Sequence, residues 1–457
     1  MDQVAQAVLA LVVALTALLL ITIKTRLGAF IGLIVASLLV GLIMGMPLDK
    51  IASTVATGFG TTMTAIGIVI VLGGILSKLL EVTGGARAIA YAFLRAFGRG
   101  RADVAMAATG YVVSIPVFCD SGFLILNPVA KALSGMTGVS ILTIATALAV
   151  GLVATHHTVP PTPGPLAVAS TVGVDLGIMI MSGLVFALPI TAAGIAYARY
   201  LGKKIYQLPT VEGAWVRPKT KEEVEKITKS YTATEVVGRL PPASIPLASI
   251  VVPILLIMVN TISGIIGEPT LKTIGPLVGH PIVALLVGVL IAAYGLTKYG
   301  PPNIKWAQVV NQGIESTAII LVITAAGGSL GYVIRTSGAG DILANVLSGA
   351  GLPLFLIPFT IASVVRLMQG SGTVAMITAA SITAPMLGGL INPIILAHAC
   401  TIGSMIASHF NDSYFWVVTS LSGLEDPKER VMQWTATTTI GWFVGLIELT
   451  IASLILR

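Results

Sequence analysis

Charged residues are scarce in this chain: 26 Lys and Arg and 19 Asp and Glu amount to 10% of 457 residues. A soluble domain of that length needs far more charge to cover its surface, so a soluble enzyme or a nucleic-acid-binding protein is excluded as the class. Cysteine is rarer still. Cys119 and Cys400 stand in apolar surroundings and form no C-x-x-C, so they define neither a disulfide framework nor a thiolate metal site. No H-E-x-x-H or similar carboxylate–histidine spacing occurs, and no metal or organic cofactor is expected. Polar stretches are missing too, apart from residues 201–240.

What fills the chain is apolar. It is 55% hydrophobic and carries 49 glycines, the composition of an all-α polytopic membrane protein whose helices approach closely or unwind. The formal charge of +7 does not point to nucleic acid, because the basic residues gather in the loops between apolar runs. The partner this implies is the lipid bilayer. The first run, MDQVAQAVLALVVALTALLLITIKTR, is acidic before its apolar core and basic after it, unlike a cleavable signal, and reads as a retained span with its start outside.

Runs of bilayer-crossing length fall at roughly 4–23, 28–46, 57–80, 139–172, 177–200, 244–267, 281–298, 312–334, 391–421 and 432–456. The runs 139–172 and 391–421 are broken in the middle, and 104–131 and 352–386 are interrupted by small and polar residues, the pattern of re-entrant hairpins. With both termini outside, only Lys50, Lys272, Arg335, Arg366 and Arg457 of the 26 basic residues fall anywhere but the cytoplasmic side. The polar segment 201–240 then becomes a cytoplasmic linker, half-ordered, with its charge run KTKEEVEKITK covering a solvated helix turn.

Two halves, 1–200 and 241–457, repeat across that linker. Gly73-Gly74 and Thr83-Gly84 recur as Gly327-Gly328 and Ser337-Gly338 at an offset of 254. Asp120-Ser121-Gly122 recurs as Gly370-Ser371-Gly372 at 250, and Ala154-Thr155-His156 as Ala407-Ser408-His409 at 253. Five crossings per half require the second repeat to be inverted, and inverted repeats with broken midplane helices are a transporter architecture.

Polarity inside the apolar field is confined to FCDSGFLILNP (118–128), THHTVPPTPGP (155–165), RLMQGSGTVA (366–375) and SHFNDSYFW (408–416). Three prolines in the second segment remove backbone donors and break the helix. Glycine and serine at hairpin tips, at Ser121-Gly122 and Ser371-Gly372, expose backbone amides at the positive end of the following helix, which suits a carboxylate. The same small residues also serve close helix packing. Thr158, Thr373 and Asn411 supply hydrogen bonds for a polar tail. Asp120 and Asp412 are ionisable groups within spans, and therefore candidate proton carriers; capping of the next half-helix is the alternative role. His156, His157 and His409 titrate in a useful range. Arg366, four residues before Gly370, can pair with the substrate carboxylate or neutralise Asp412 or Asp120.

A protease of the membrane interior is the rival class, because GAGD at 338–341 matches the GxGD pattern. That chemistry needs a second aspartate in a Tyr-Asp pair, which does not occur, and the match reads as a glycine turn ending a helix. A passive channel is a third reading, disfavoured by ionisable groups placed within the spans.

The same four segments resemble the gluconate permease (GntP) family of proton symporters, within the ion transporter superfamily. HHTVPPTPGP is similar to that family's His-x-x-Val-Pro-Pro-x-Pro segment, GSGTVA to its Gly-Ser-Ala-Thr-Val-Ala, and HFNDSYFW to its Asn-Asp-x-x-Phe-Trp. Asp120 stands where many members have Glu, Gly372 where Ala is usual and Thr162 where His is common. The resemblance implies import of gluconate or a related small hydroxy or sugar acid with H+, Na+ remaining open as coupling ion. It further implies a homodimer in the inner membrane with an elevator-type movement of hairpins and broken helices against a scaffold. A D-serine or other small amino-acid symporter is the nearest alternative.

Overall fold

A computed structural model describes residues 2–25, 27–232, 240–266, 269–300, 305–348 and 353–456. Residues 233–239 of the linker, the first residue of the 352–386 stretch and Arg457 lie outside it. The first half runs α1 (Gln3–Lys24), α2 (Gly28–Ile43), α3 (Leu48–Val82), α4 (Gly85–Phe97), α5 (Ala102–Val113), α6 (Cys119–Thr137), α7 (Ile141–Thr158), α8 (Pro163–Val172) and α9 (Leu176–Lys204). A two-stranded ribbon, β1 (Leu208–Pro209) with β2 (Trp215–Val216), and α10 (Lys221–Thr232) follow. The second half runs α11 (Ser244–Ile266), α12 (Pro269–Val278), α13 (Pro281–Leu296), α14 (Trp306–Thr336), α15 (Ala339–Ser348), α16 (Leu356–Gln369), α17 (Gly372–Leu387), α18 (Pro393–Gly403), α19 (Ser413–Leu421), α20 (Pro427–Arg430) and α21 (Ala436–Ile455). A π-turn, Val431–Thr435, joins the last two.

Among the described residues, eight helices are long and apolar enough to cross a membrane, counting α7 with α8 and α20 with α21 as single spans. α2, α16, α17 and α18 are shorter apolar helices. The expected interruptions fall at residues 114–118, 159–162, 370–371 and 404–412. Gly338 takes a left-handed φ of 77° right after α14, so the GAGD match is indeed a helix-ending turn. The amphipathic helix α4 and the short α12 were not expected from apolar runs, because neither is long enough to span.

Helices of the two halves start at matching places: α2 and α13 at 28 and 281, α6 and α17 at 119 and 372, α7 and α18 at 141 and 393, α9 and α20 at 176 and 427. The matched long helices α3 and α14 cross in antiparallel contact. Gly58 lies against Gly328, Ser329 and Tyr332, while Gly74 lies against Gly313 and Thr317. The Ser329 hydroxyl donates to the Val55 carbonyl across the crossing at 2.9 Å. A Cβ on Gly74 would come within 2.6 Å of the Gly313 carbonyl oxygen, whereas one on Gly60 of the same helix would meet nothing within 4 Å. Gly74→Ala is therefore expected to destabilise the protein by about 1–3 kcal/mol, as overpacking against backbone does, and Gly60→Ala to leave it unchanged or slightly stabilised. Thermal unfolding of the two purified variants, compared with the parent, measures this.

α7 is the centre of the molecule, with every residue from Ile141 to Thr158 buried. It packs so closely on α5 that a Cβ on Gly151 would lie 2.1 Å from the Ala107 carbonyl. Of the linker, expected to be half-ordered, residues 205–232 are described and residues 233–239 are not. Residues 205–232 fold over the ends of α6 and α19: the Tyr231 ring covers Gly135, the Trp215 ring covers Gly423, and Gln207 Nε2 donates to the Ser422 and Gly423 carbonyls at 3.0 and 3.1 Å. Arg217 closes the strap with two bonds to Glu429, at 2.8 and 2.6 Å. Aromatic anchors spaced between the charges make the segment amphipathic, and glycine surfaces give those rings somewhere to lie.

Candidate functional site

The four polar segments meet. At the second break, α18 ends and the chain turns through Ala407, whose φ of 35° is a left-handed conformation unusual for a residue with a Cβ. The next residue is pinned on both sides: the Ser408 amide donates to Thr438 Oγ1 at 3.0 Å and its carbonyl accepts from Thr435 Oγ1 at 2.7 Å. Four residues on, Asp412 caps α19, accepting the Tyr414 amide at 3.1 Å through Oδ1. Its other oxygen accepts from the Ser408 hydroxyl and from Arg366 Nη2, the latter at 2.6 Å. Both partners of that ion pair are buried, at 5% and 10% side-chain exposure.

Arg366, near the end of α16, also donates to the carbonyl of Gly370. Gly370 has a φ of 90° that only glycine adopts readily, and the Asn411 backbone packs directly on it. The Asn411 side chain donates to the Leu367 carbonyl at 3.0 Å. The tip between α16 and α17 is thus tied to the second break by Arg366, Gly370 and Asn411. Of the two carboxylates Arg366 could neutralise, Asp412 is the one it pairs with.

Ser371 caps α17, its hydroxyl accepting the Val374 amide at 3.3 Å. The first amides of a helix have no intrahelical partners, so those of Gly372 and Thr373 stand at the positive end of α17. Thr373 is half-buried and its hydroxyl has no hydrogen-bond partner among the described residues. His157 approaches the same helix start. Its Nδ1 bonds the Val153 carbonyl at 3.1 Å, which puts the proton on Nδ1 and leaves Nε2 as an acceptor. A Cβ on Gly372 would lie 2.2 Å from that Nε2, and Nε2 is buried without a partner.

On the first hairpin, Asp120 sits in the first turn of α6, half-buried, and accepts from the Ser413 hydroxyl at the start of α19 at 3.1 Å. Ser121 beside it is half-buried, whereas Gly122 is buried with the Leu152 side chain filling the space of a Cβ, a packing role on α7. Phe118 stands edge-on to His156 with ring centroids 5.9 Å apart, and His156 to His157 at 5.7 Å. Asn411 and Ser413 are exposed and His409, stacked on Phe410, is half-buried, so one side of the cluster is open. Thr158 is turned away from it. It is fully buried, and its hydroxyl donates to the Ala154 and Gly183 carbonyls at 2.8 and 3.1 Å. Thr162 does similar work at the first break, donating to the Val159 and His156 carbonyls at 2.6 and 3.1 Å.

Sequence reasoning missed Ser413, which bridges the first hairpin to the second break, and Thr435 and Thr438, which hold Ser408. Ser413 stood next to Asp412 in a segment already singled out. The two threonines carried no signal, being ordinary residues in an apolar span.

What the cluster can do is clear from its parts: two helix starts with open amides, one carboxylate without an ion-pair partner among the described residues, one carboxylate committed to an arginine, and hydroxyls around them. Among the described residues, eight helices long and apolar enough to cross a membrane define a multi-pass membrane protein, and the family it matches is one of transporters, not enzymes. The GntP family permease model matches residues 6–455, and the chain belongs to that family. It is 40% identical over 457 residues to an uncharacterized permease of Haemophilus influenzae, covering 98% of this chain and 92% of that protein. It is 33% identical to a gluconate permease of Pseudomonas aeruginosa, covering 98% and 97% of the two chains, and 32% identical to a low-affinity gluconate transporter of Escherichia coli, covering 95% and 96%. Among solved structures it is similar to MtrF of Neisseria gonorrhoeae, described with a class of antimetabolite efflux pumps, at 16% identity and a TM-score of 0.64 over 94% of this chain and 95% of that one. The YdaH transporter of Alcanivorax borkumensis aligns at 18% identity and a TM-score of 0.58, over 99% and 98%. These two likenesses concern the fold. The family expected from the motifs is the family found.

Proposed function

We propose that the protein imports gluconate, or a related small hydroxy or sugar acid, with protons across the inner membrane. The observation that carries this reading is the convergence of the α6 and α17 starts with Asp120, Ser413, Thr373 and Asn411 on one open-sided cluster. Relatives named gluconate permeases and transporters over the full length support the substrate class. The amides of Gly372 and Thr373, with those at Asp120 and Ser121, would hold a carboxylate, and Thr373, Asn411 and Ser121 would read the hydroxylated tail. Asp120 carries the coupling proton in this scheme. His157 Nε2, Asp412 and Arg366 set the shape of the tip.

The antiparallel crossing of α3 and α14 and the matched helix starts support two inverted repeats, 1–200 and 241–457, and the gathering of basic residues in alternate loops supports both termini outside and the linker in the cytoplasm. An elevator-type movement and a homodimer complete the proposal. Uptake by purified protein in liposomes under imposed pH or Na+ gradients tests it. Gluconate should accumulate with a pH gradient and with no Na+ present; accumulation that needs Na+ would overturn proton coupling, and no gluconate transport at all would overturn the substrate.

Helix ends carry about half a charge each, and the one arginine of the cluster is already paired. A monoanion should therefore suit the cluster better than a trianion, so citrate should compete weakly against gluconate at pH 7. Equal inhibition by the two acids contradicts this. Sidedness is a separate measurement. Cysteine at residue 371 should react with an impermeant thiol reagent from outside and cysteine at 121 from inside. Reaction of both from the same side sinks the inverted arrangement.

A further inference from the structure

Away from this cluster, the starts of α5 and α7 and the last turn of α9 enclose a cavity of about 470 Å³. Its polar lining is Asp103, Ser140, Thr143, Arg199, Lys203 and Tyr206. We propose that this cavity holds the phosphate diester of an anionic phospholipid headgroup.

Charge is the first argument. Arg199 donates to Asp103 through Nε at 2.6 Å, and its two terminal nitrogens make no hydrogen bond among the described residues. Lys203 is exposed at the rim. Two cations against one carboxylate leave a single positive charge, which a phosphate diester monoanion balances. The starts of α5 and α7 add the positive ends of two helices, and Arg99 and Arg101 flank the Gly100 that lines the opening.

Shape is the second. Thr143 is buried as a residue, its hydroxyl has no hydrogen-bond partner among the described residues, and that oxygen lies where a Cβ on residue 202 would be; only Gly202 leaves that room. An unpartnered hydroxyl on a buried residue, kept open to the cavity by a glycine, is a donor free for an acceptor there. The level along α9 is the third. Val185 and Leu188 are exposed further along the helix toward its start, whereas Tyr200 and Lys204 stand at the cavity's height, the aromatic and basic pair typical of a headgroup zone.

The second half supplies an internal comparison. The starts of α16 and α18 and the end of α21 enclose a cavity of about 1080 Å³ at the matching place. Counted from the helix starts, Arg199, Lys203, Ser140 and Thr143 are replaced there by Thr450, Leu454, Asn392 and Ile395, and Leu354 and Leu356 complete an apolar wall. The same fold builds a cavity of the same kind without charge, so the cations of the first cavity are not a requirement of the packing.

The test uses the full-length protein in detergent, titrated with phosphatidylglycerol, phosphatidylcholine or inorganic phosphate and read by native mass spectrometry and thermal unfolding. Phosphatidylglycerol should be retained in preference to phosphatidylcholine. Lys203→Gln should weaken that retention about fivefold, the effect of one basic residue near an anionic surface. Thr143→Val, nearly isosteric, should weaken it further without loss of fold. Lys203 takes part in no ion pair among the described residues, so its variant reports on the ligand and not on folding. Equal retention of the two lipids, or retention of phosphatidylglycerol unchanged in both variants, overturns the proposal. Stabilisation by inorganic phosphate equal to that by phosphatidylglycerol, lost in the same variants, overturns the lipid as source and leaves a soluble phosphate on the same residues.

Discussion

Asp120→Asn is expected to bring pH-driven accumulation of substrate down to equilibrium while substrate-for-substrate exchange continues. The two carboxylates of the cluster differ in what surrounds them. Asp412 is ion-paired, accepts a serine hydroxyl and caps α19. Asp120 is half-buried, faces exposed Ser413 and accepts one hydroxyl from it. A carboxylate without a fixed cation can gain and lose a proton without breaking the structure, and the amide of asparagine cannot. Each pH unit across the membrane is worth about 1.4 kcal/mol per proton, or roughly tenfold accumulation at one proton per substrate, and that gain is what disappears. Asp120→Glu should keep coupling because it keeps the carboxylate. Parallel counterflow and gradient-driven uptake in liposomes separate the outcomes, and undiminished concentration of substrate by Asp120→Asn would move the coupling elsewhere, with the histidines next in line.

Arg366→Met should cost the protein about 3–5 kcal/mol and abolish transport, because removing one member of a buried pair leaves the other charge stranded. The loss has three parts. Asp412 remains between Ser408 and the start of α19 with no cation, the Gly370 carbonyl loses its donor, and the tip between α16 and α17 loses its tie to the second break. Arg366→Lys should recover little, since one ammonium cannot reproduce the two directed bonds. Arg366→Met combined with Asp412→Asn, which keeps an oxygen to cap α19 and removes the stranded charge, should regain much of the stability but not the transport. Thermal unfolding and binding by the double variant decide this. If the single variant binds substrate normally, the pair is a scaffold element far from the tip's function.

Much of the site was legible because polar residues in an apolar span are costly and so are few. The segments at 118–128, 155–165, 366–375 and 408–416 stood out on that ground alone, and the structure brings all four together. Roles within them were less legible. Thr158 belongs to the right segment, but its position one helical turn after Ala154 lets its hydroxyl bond that carbonyl and turns the side chain toward α9. Gly122 packs on Leu152, whereas Gly372 opens a helix start to His157. Both are glycines after a serine, and their difference depends on which neighbour arrives.

Composition, the spacing of apolar runs and the proline breaks determined that this is a helical membrane protein and where its helices are interrupted. Those properties follow from local physics: an apolar run of given length, and a proline without an amide donor, act without regard to distant residues. Only the tertiary structure decided that Arg366 pairs with Asp412 and not with Asp120, that Ser413 reaches Asp120 from the other half of the chain, and that residues 205–232 strap α6 to α19. Each of these is a contact between positions tens to hundreds of residues apart, chosen by directed hydrogen bonds and by which side chain fits against which glycine.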